Sequence, residues 1–225
     1  MKTKTCEWII VIILLIAIVL VSFFAISLGT SGGFDSCVSE EDTTETPTET
    51  TAIVDRKPVS VERQVYDILI EAGISHAGAC GILANAQAES DLCSNNMENY
   101  YNKKFGVTDE EYTQLADLGQ VDFVNDSVGY GLWQFTYYEF KQALLDTAKS
   151  NRTSVSDVET QTATLIKILK TPEFSELMKF LKNTSDPALA SEKFMLVFER
   201  PANTSTSARS ERADLAIEFS NNINK

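Results

Sequence analysis

Apolar and polar positions divide the chain into three stretches. Residues 8–28 carry no charge. At about 1.5 Å of rise per residue such a run spans a hydrocarbon core of roughly 30 Å, which predicts one N-terminal transmembrane helix. Lys2 and Lys4 precede it and acidic residues follow it, so the excess of positive charge places the N-terminus in the cytoplasm and the rest of the chain outside. The run exceeds the short apolar core of a cleaved signal, which favours a retained anchor over residues 1–28. Residues 29–59 read as an acidic, Thr-rich linker. Its centre, residues 39–51, holds Ser, Thr, Glu, Asp and one Pro, a composition that cannot bury enough apolar surface to offset the entropy of ordering. Residues 60–225 form a domain long enough for a sizeable core.

Within that domain the apolar spacing is mostly helical. Val61, Val65, Ile68 and Leu69 lie on one helical face, with Gly73 suited to the C-terminal cap. Ser75 is an N-cap candidate for a helix ending near Glu89. Residues 72–88 contain no Asp, Glu, Lys or Arg, and a helix without a polar face is expected to be buried. Thr108-Asp-Glu-Glu111 reads as a helix start. Gly129–Thr136 reads as a strand or extended loop, and residues 137–149 as an amphipathic helix. Ser156-Asp-Val-Glu159 is expected as a capping box before a helix reaching Lys170. Pro172 restarts the chain, residues 185–200 form a helix stopped by Pro201, and Ser207 opens the last one. The expectation is a mainly α domain of seven helices with a small β or irregular region.

Charge and rare residues exclude several chemistries. The chain has 32 acidic and 19 basic residues, a net charge of −13, and the domain itself is acidic, which argues against nonspecific nucleic-acid binding. His76 is the single histidine, so histidine-based zinc hydrolysis is not expected, and no metal or cofactor is implied. Cys80 and His76 are four residues apart on one predicted helix, the spacing of neighbours. A cysteine peptidase on Cys80 is therefore a third reading, but a buried core thiol suits that position better. A Cys80–Cys93 disulfide is not expected, because helical geometry separates the two by more than about 10 Å.

Carboxylate chemistry remains. Glycoside cleavage needs an acid to protonate the leaving oxygen, and often a second carboxylate. Glu89 is the candidate acid: a helix C-terminus and burial each disfavour a charged carboxylate, the property a general acid needs. Asp122 and Asp126, shortly before the glycine- and aromatic-rich segment, are candidates for the second. In Gly129-Tyr-Gly-Leu-Trp-Gln-Phe-Thr136, Gly131 would let a polysaccharide approach the backbone, Tyr130 and Trp133 would stack on sugar faces, and Gln134 would bond to hydroxyl or acetamido groups.

Three motifs then carry a resemblance. Gly81-Ile-Leu-Ala-Asn-Ala-Gln-Ala-Glu-Ser-Asp-Leu92, Gly129-Tyr-Gly-Leu-Trp-Gln-Phe-Thr136 and Phe198-Glu-Arg-Pro-Ala202 resemble, in order, those of phage tail lysozyme-type domains, relatives of goose-type lysozymes and lytic transglycosylases. The resemblance implies a lysozyme-like α-rich fold that cleaves the N-acetylmuramic acid–N-acetylglucosamine strand of peptidoglycan, as a muramidase or a lytic transglycosylase. It implies that Glu89 is the acid and that residues 129–136 line the cleft; Glu199 and Arg200 match its later motif and read mainly as a structural pair supporting the cleft, with a catalytic role as the alternative. The expected partners are glycan strands, the membrane through the N-terminal helix, and a cell-envelope or conjugation machinery, with the domain on the wall side. The alternative from another class is a non-catalytic glycan-binding or scaffold module of a secretion or conjugation complex.

Overall fold

The computed structural model describes residues 59–99 and 104–223. The predicted anchor and most of the linker lie outside them. Among the described residues no helix is long and apolar enough to cross a membrane.

Among the described residues the bounded α-helices follow in the order α1 (Val61–Glu71), α2 (His76–Ser90), α3 (Asp109–Asp117), α4 (Tyr138–Asn151), α5 (Val158–Leu169), α6 (Ser175–Asn183), α7 (Pro187–Phe194) and α8 (Thr206–Asn222). A 3-10 turn, Pro172–Phe174, leads into α6, and a π-helical turn, Met195–Glu199, extends α7. The mainly α expectation is met, and the small β or irregular region is irregular: among the described residues there is no strand, only an isolated bridge between Met97 and Tyr130.

The uncharged helix α2 lies at the centre, against α1, α6, α7 and α8. Its residues 77–86 are buried without interruption, as a helix apolar on all sides requires. Ser75 caps it, its hydroxyl accepting from Gly78 N–H at 3.0 Å. The helix ends where Asp91 turns left-handed (φ 57°). Gly81 sets how closely α7 can approach: a Cβ there would stand 2.6 Å from both Ala190 Cβ and the backbone nitrogen of Ser191. Gly81→Ala must push α7 away from α2. The expected cost is about 1–3 kcal/mol, typical of overpacking, read as a melting temperature about 2–4 °C lower per kcal/mol for a chain of this size. An unchanged melting temperature would show that the interface yields.

Caps at the other helices show how local chemistry sets boundaries. Thr108 and Glu111 form the reciprocal capping box at α3. The cap of α5 is Asp157, accepting from Thr160 N–H at 2.8 Å, one residue beyond the expected Ser156. The last helix starts at Ser205, which accepts from Ala208 N–H at 3.3 Å, two residues before the expected start. An aromatic cluster of Phe135, Phe140, Phe174, Phe194 and Phe198 joins α4, α7 and both irregular turns. Phe198 stacks on Phe194 at 4.8 Å and on Phe140 at 5.3 Å.

Candidate active site

Glu89 occupies the last turn of α2. Its side chain is one-fifth exposed and receives a hydrogen bond from Arg212 of α8, Nη2 to Oε1 at 2.6 Å. It is therefore not the lone carboxylate expected from the uncharged helix, since a distant arginine folds back onto it. Arg212 is itself nearly buried. Asn85, one turn before Glu89 and fully buried, ties the same region together: its amide donates to Ser191 O of α7 at 3.1 Å.

The 129–136 segment is a compact turn, not a strand. Gly131 is left-handed (φ 77°), and Gln134 also has positive φ (44°). Gly131 N–H donates to Asn96 O at 2.8 Å, and Phe135 N–H to Tyr130 O at 2.9 Å. The fully buried Gln161 of α5 holds this turn, accepting from Leu132 N–H at 2.8 Å and donating to Ser94 O at 2.6 Å and Val155 O at 2.8 Å. Ser90 Oγ sits 3.1 Å from Leu132 O, so the end of α2 and the turn are joined directly.

This arrangement leaves a cleft of about 510 Å³ lined by Glu89, Asn96, Glu98, Gln134, Thr136 and Glu199, with Asn99, Gly129 and Pro201 completing it. Gln134 faces it as expected, its amide donating to Asn96 Oδ1 at 2.8 Å. Gly131 shapes the turn, but a Cβ there would meet the Gln161 side chain at 2.4 Å rather than the cleft. Tyr130 and Trp133 are not stacking surfaces. Both are buried, Tyr130 sharing a hydrogen bond with Thr113 at 2.6 Å, because the tight turn directs its aromatic residues into the core.

Asp122 and Asp126 do not reach the cleft. Asp122 is exposed and accepts from the Asn125 amide. Asp126 neutralises the fully buried Lys141, Nζ to Oδ1 at 2.5 Å, and accepts from Tyr112 Oη and from Val128 N–H. Burial lowers the Lys141 pKa, and Asp126 opposes that shift. The carboxylate that the 91–128 segment does contribute is Glu98, whose Oε2 lies 3.3 Å from Gly129 N. No helical periodicity or motif singled it out.

Glu199 and Arg200 are not a pair. The π turn ends at Arg200 in the left-handed region (φ 50°), where Pro201 prevents helical continuation. Arg200 points outward, donating to Glu173 at 2.9 Å, while Glu199 points into the cleft. Burial first, and then repulsion from Glu89, hold the Glu199 carboxyl well above the usual carboxylate range, against an opposing pull from Arg212. π turns recur at functional sites because the extra residue redirects a side chain.

Thiol chemistry has no support here. Cys80 is a free, fully buried thiol, not bonded to Cys93, and burial pushes its pKa up to about 11. His76 lies 4.0 Å from its sulfur but is engaged by Tyr66 Oη at 2.8 Å and Ser220 Oγ at 2.9 Å. Among the described residues no cluster of three His, Cys, Asp or Glu side chains is placed to hold a metal ion.

The site is a polar cleft at the end of the central helix into which Glu89, Glu98 and Glu199 bring carboxyl groups, the residue type that glycoside cleavage uses. The comparison with known families agrees: residues 60–221 match the phage tail lysozyme family, and the chain belongs to it. Membership points to a peptidoglycan-cleaving, lysozyme-like activity. No curated protein matches the chain.

Proposed function

We propose that this protein is a membrane-anchored peptidoglycan glycosidase that cleaves the N-acetylmuramic acid–N-acetylglucosamine strand, with Glu89 delivering the proton to the glycosidic oxygen. The observation that carries this reading is the shared cleft of Glu89, Glu98 and Glu199 in a domain of the phage tail lysozyme family. Glycosidic cleavage passes through an oxocarbenium-like state that needs proton delivery on one side and a negative group nearby. Glu89 lines this cleft beside the join between α2 and the 129–136 turn. Glu98 is the exposed carboxylate placed to direct water or to face the developing positive charge. Asn96, Asn99 and Gln134 present amides suited to sugar hydroxyl and acetamido groups.

The uncharged residues 8–28 would tether the domain on the wall side of the cell membrane, and the polar linker would let it sample the wall above. As a flexible coil about 30 residues reach roughly 30 Å. Local wall remodelling, for a cell-envelope or conjugation machinery, is the process this arrangement suits.

Mass spectrometry of purified wall digested by the full chain tests the reading. Reducing muramic acid ends would indicate hydrolysis, and 1,6-anhydro ends a lytic transglycosylase. Binding to wall with neither product would replace the enzyme by a glycan-binding module.

A further inference from the structure

Glu199 occupies a position that the acid role of Glu89 leaves unexplained. It ends the π turn directly after Phe198, which the aromatic cluster locks in place. Its Oε1 is enclosed and has no hydrogen-bond partner among the described residues, although the residue lines the cleft with Glu89. An enclosed carboxylate oxygen without a donor is disfavoured, and the neutral acid is the form such a place accepts.

The charged groups around it come from several elements. Glu89 of α2 repels a negative charge on Glu199, and Arg212 of α8 attracts one. The Arg212 guanidinium, however, is committed to Glu89 at 2.6 Å. Glu98 lines the same cleft, and the neighbouring Arg200 is engaged with Glu173.

We propose that Glu89 and Glu199 form a dyad holding one proton, which Glu199 stores in the resting site and Glu89 delivers to the glycosidic oxygen. This rests on the glycosidase reading above and adds the source of its proton. Glu199 passes its proton across the cleft to Glu89. Glu89 transfers it to the glycosidic oxygen as the bond from that oxygen to C1 breaks, the bonding pair staying with oxygen. The electron-poor C1 is then taken by water or by the C6 hydroxyl of the same sugar. Either nucleophile releases one proton, which returns to the dyad. Two interacting carboxyls titrate together, so the alkaline limit of activity belongs to the pair.

Glu199→Gln in the full chain tests this. The amide keeps the size and neutrality of the acid but has no proton to transfer. Glycan cleavage near neutral pH should fall at least about tenfold, one pKa unit of displacement in the alkaline limb. It should recover toward the wild-type rate as the pH is lowered and solvent replaces the stored proton. An unchanged pH profile overturns the dyad and leaves Glu199 as packing. A folded variant inactive at every pH also overturns it, because Glu199 would then be the donor itself.

Thermal unfolding gives a second readout that needs no substrate. A carboxyl with a raised folded pKa loses stability as pH rises above its unfolded value, about 4.3. Glu199→Gln escapes that loss. Its melting temperature should gain on the wild type steadily from about pH 4 upward, and a difference independent of pH overturns the stored proton. Absence of any glycan cleavage by the wild-type chain would instead sink the glycosidase reading, and normal cleavage by Glu89→Gln the acid role of Glu89, so the failures are distinguishable.

Discussion

Glu89→Gln should lose wall-degrading activity by about 100- to 10,000-fold, the span that proton transfer by a positioned side chain contributes, equivalent to roughly 3–5 kcal/mol of barrier. The amide still offers an oxygen to Arg212 but cannot protonate a leaving oxygen. The substitution also removes the counter-charge of an arginine whose side chain is only one-tenth exposed. A stability loss therefore accompanies the catalytic one, below the ~3–5 kcal/mol of a fully buried broken pair, because Glu89 is partly solvated. Activity must be compared well below both melting temperatures, with circular dichroism confirming the helices. Near-normal clearing of a peptidoglycan gel by a folded Glu89→Gln protein would falsify the assignment.

The largest stability effect is expected at Asp126. Its carboxylate is the partner of Lys141, a lysine with no solvent exposure, and it also accepts from Tyr112 Oη and Val128 N–H. Lys141 Nζ lies 4.3 Å from the centre of the Phe123 ring. Asp126→Asn strands the lysine, and breaking a buried pair costs about 3–5 kcal/mol, a large share of the ~5–15 kcal/mol of a typical domain. The melting temperature should fall by on the order of 10 °C. The turnover of the folded fraction should stay within about threefold, because Asp126 does not line the cleft and so carries none of the proton transfer. Replacing both partners by apolar residues of similar size, Asp126→Leu with Lys141→Met, should recover most of the loss. A variant that melts normally yet has lost its activity would return Asp126 to the catalytic candidates.

These two expectations separate what was legible along the chain from what was not. Glu89 was legible because one helix accumulates small and apolar residues on every face and then ends on a charge. Gln134 was legible from its glycine-rich surroundings. The inward direction of Tyr130 and Trp133 is not legible in the sequence, since a tight turn with positive φ at Gly131 and Gln134 abolishes the alternation of a strand. Nearness in sequence joins Asp126 to the 129–136 segment, yet Lys141, fifteen residues later, claims it. Glu98 carried no signal, lying in an irregular segment where no periodicity marks a face. Adjacency within the motif pairs Glu199 with Arg200, because it cannot register that a π turn sends the two side chains to opposite sides.

Local chemistry in the chain was sufficient for the helical class, the central place of α2 and most caps. Helix periodicity, capping groups and the burial of an uncharged face act over a few residues and are written out in order. The composition of the cleft was decided only by folding. Arg212 meets Glu89 across 123 positions of sequence, and Glu199 reaches the same cavity from another element. The electrostatic environment of a carboxyl depends on which charges lie within a few ångströms and how much water is excluded. Neither quantity exists until α2, α7, α8 and the 129–136 turn have packed together.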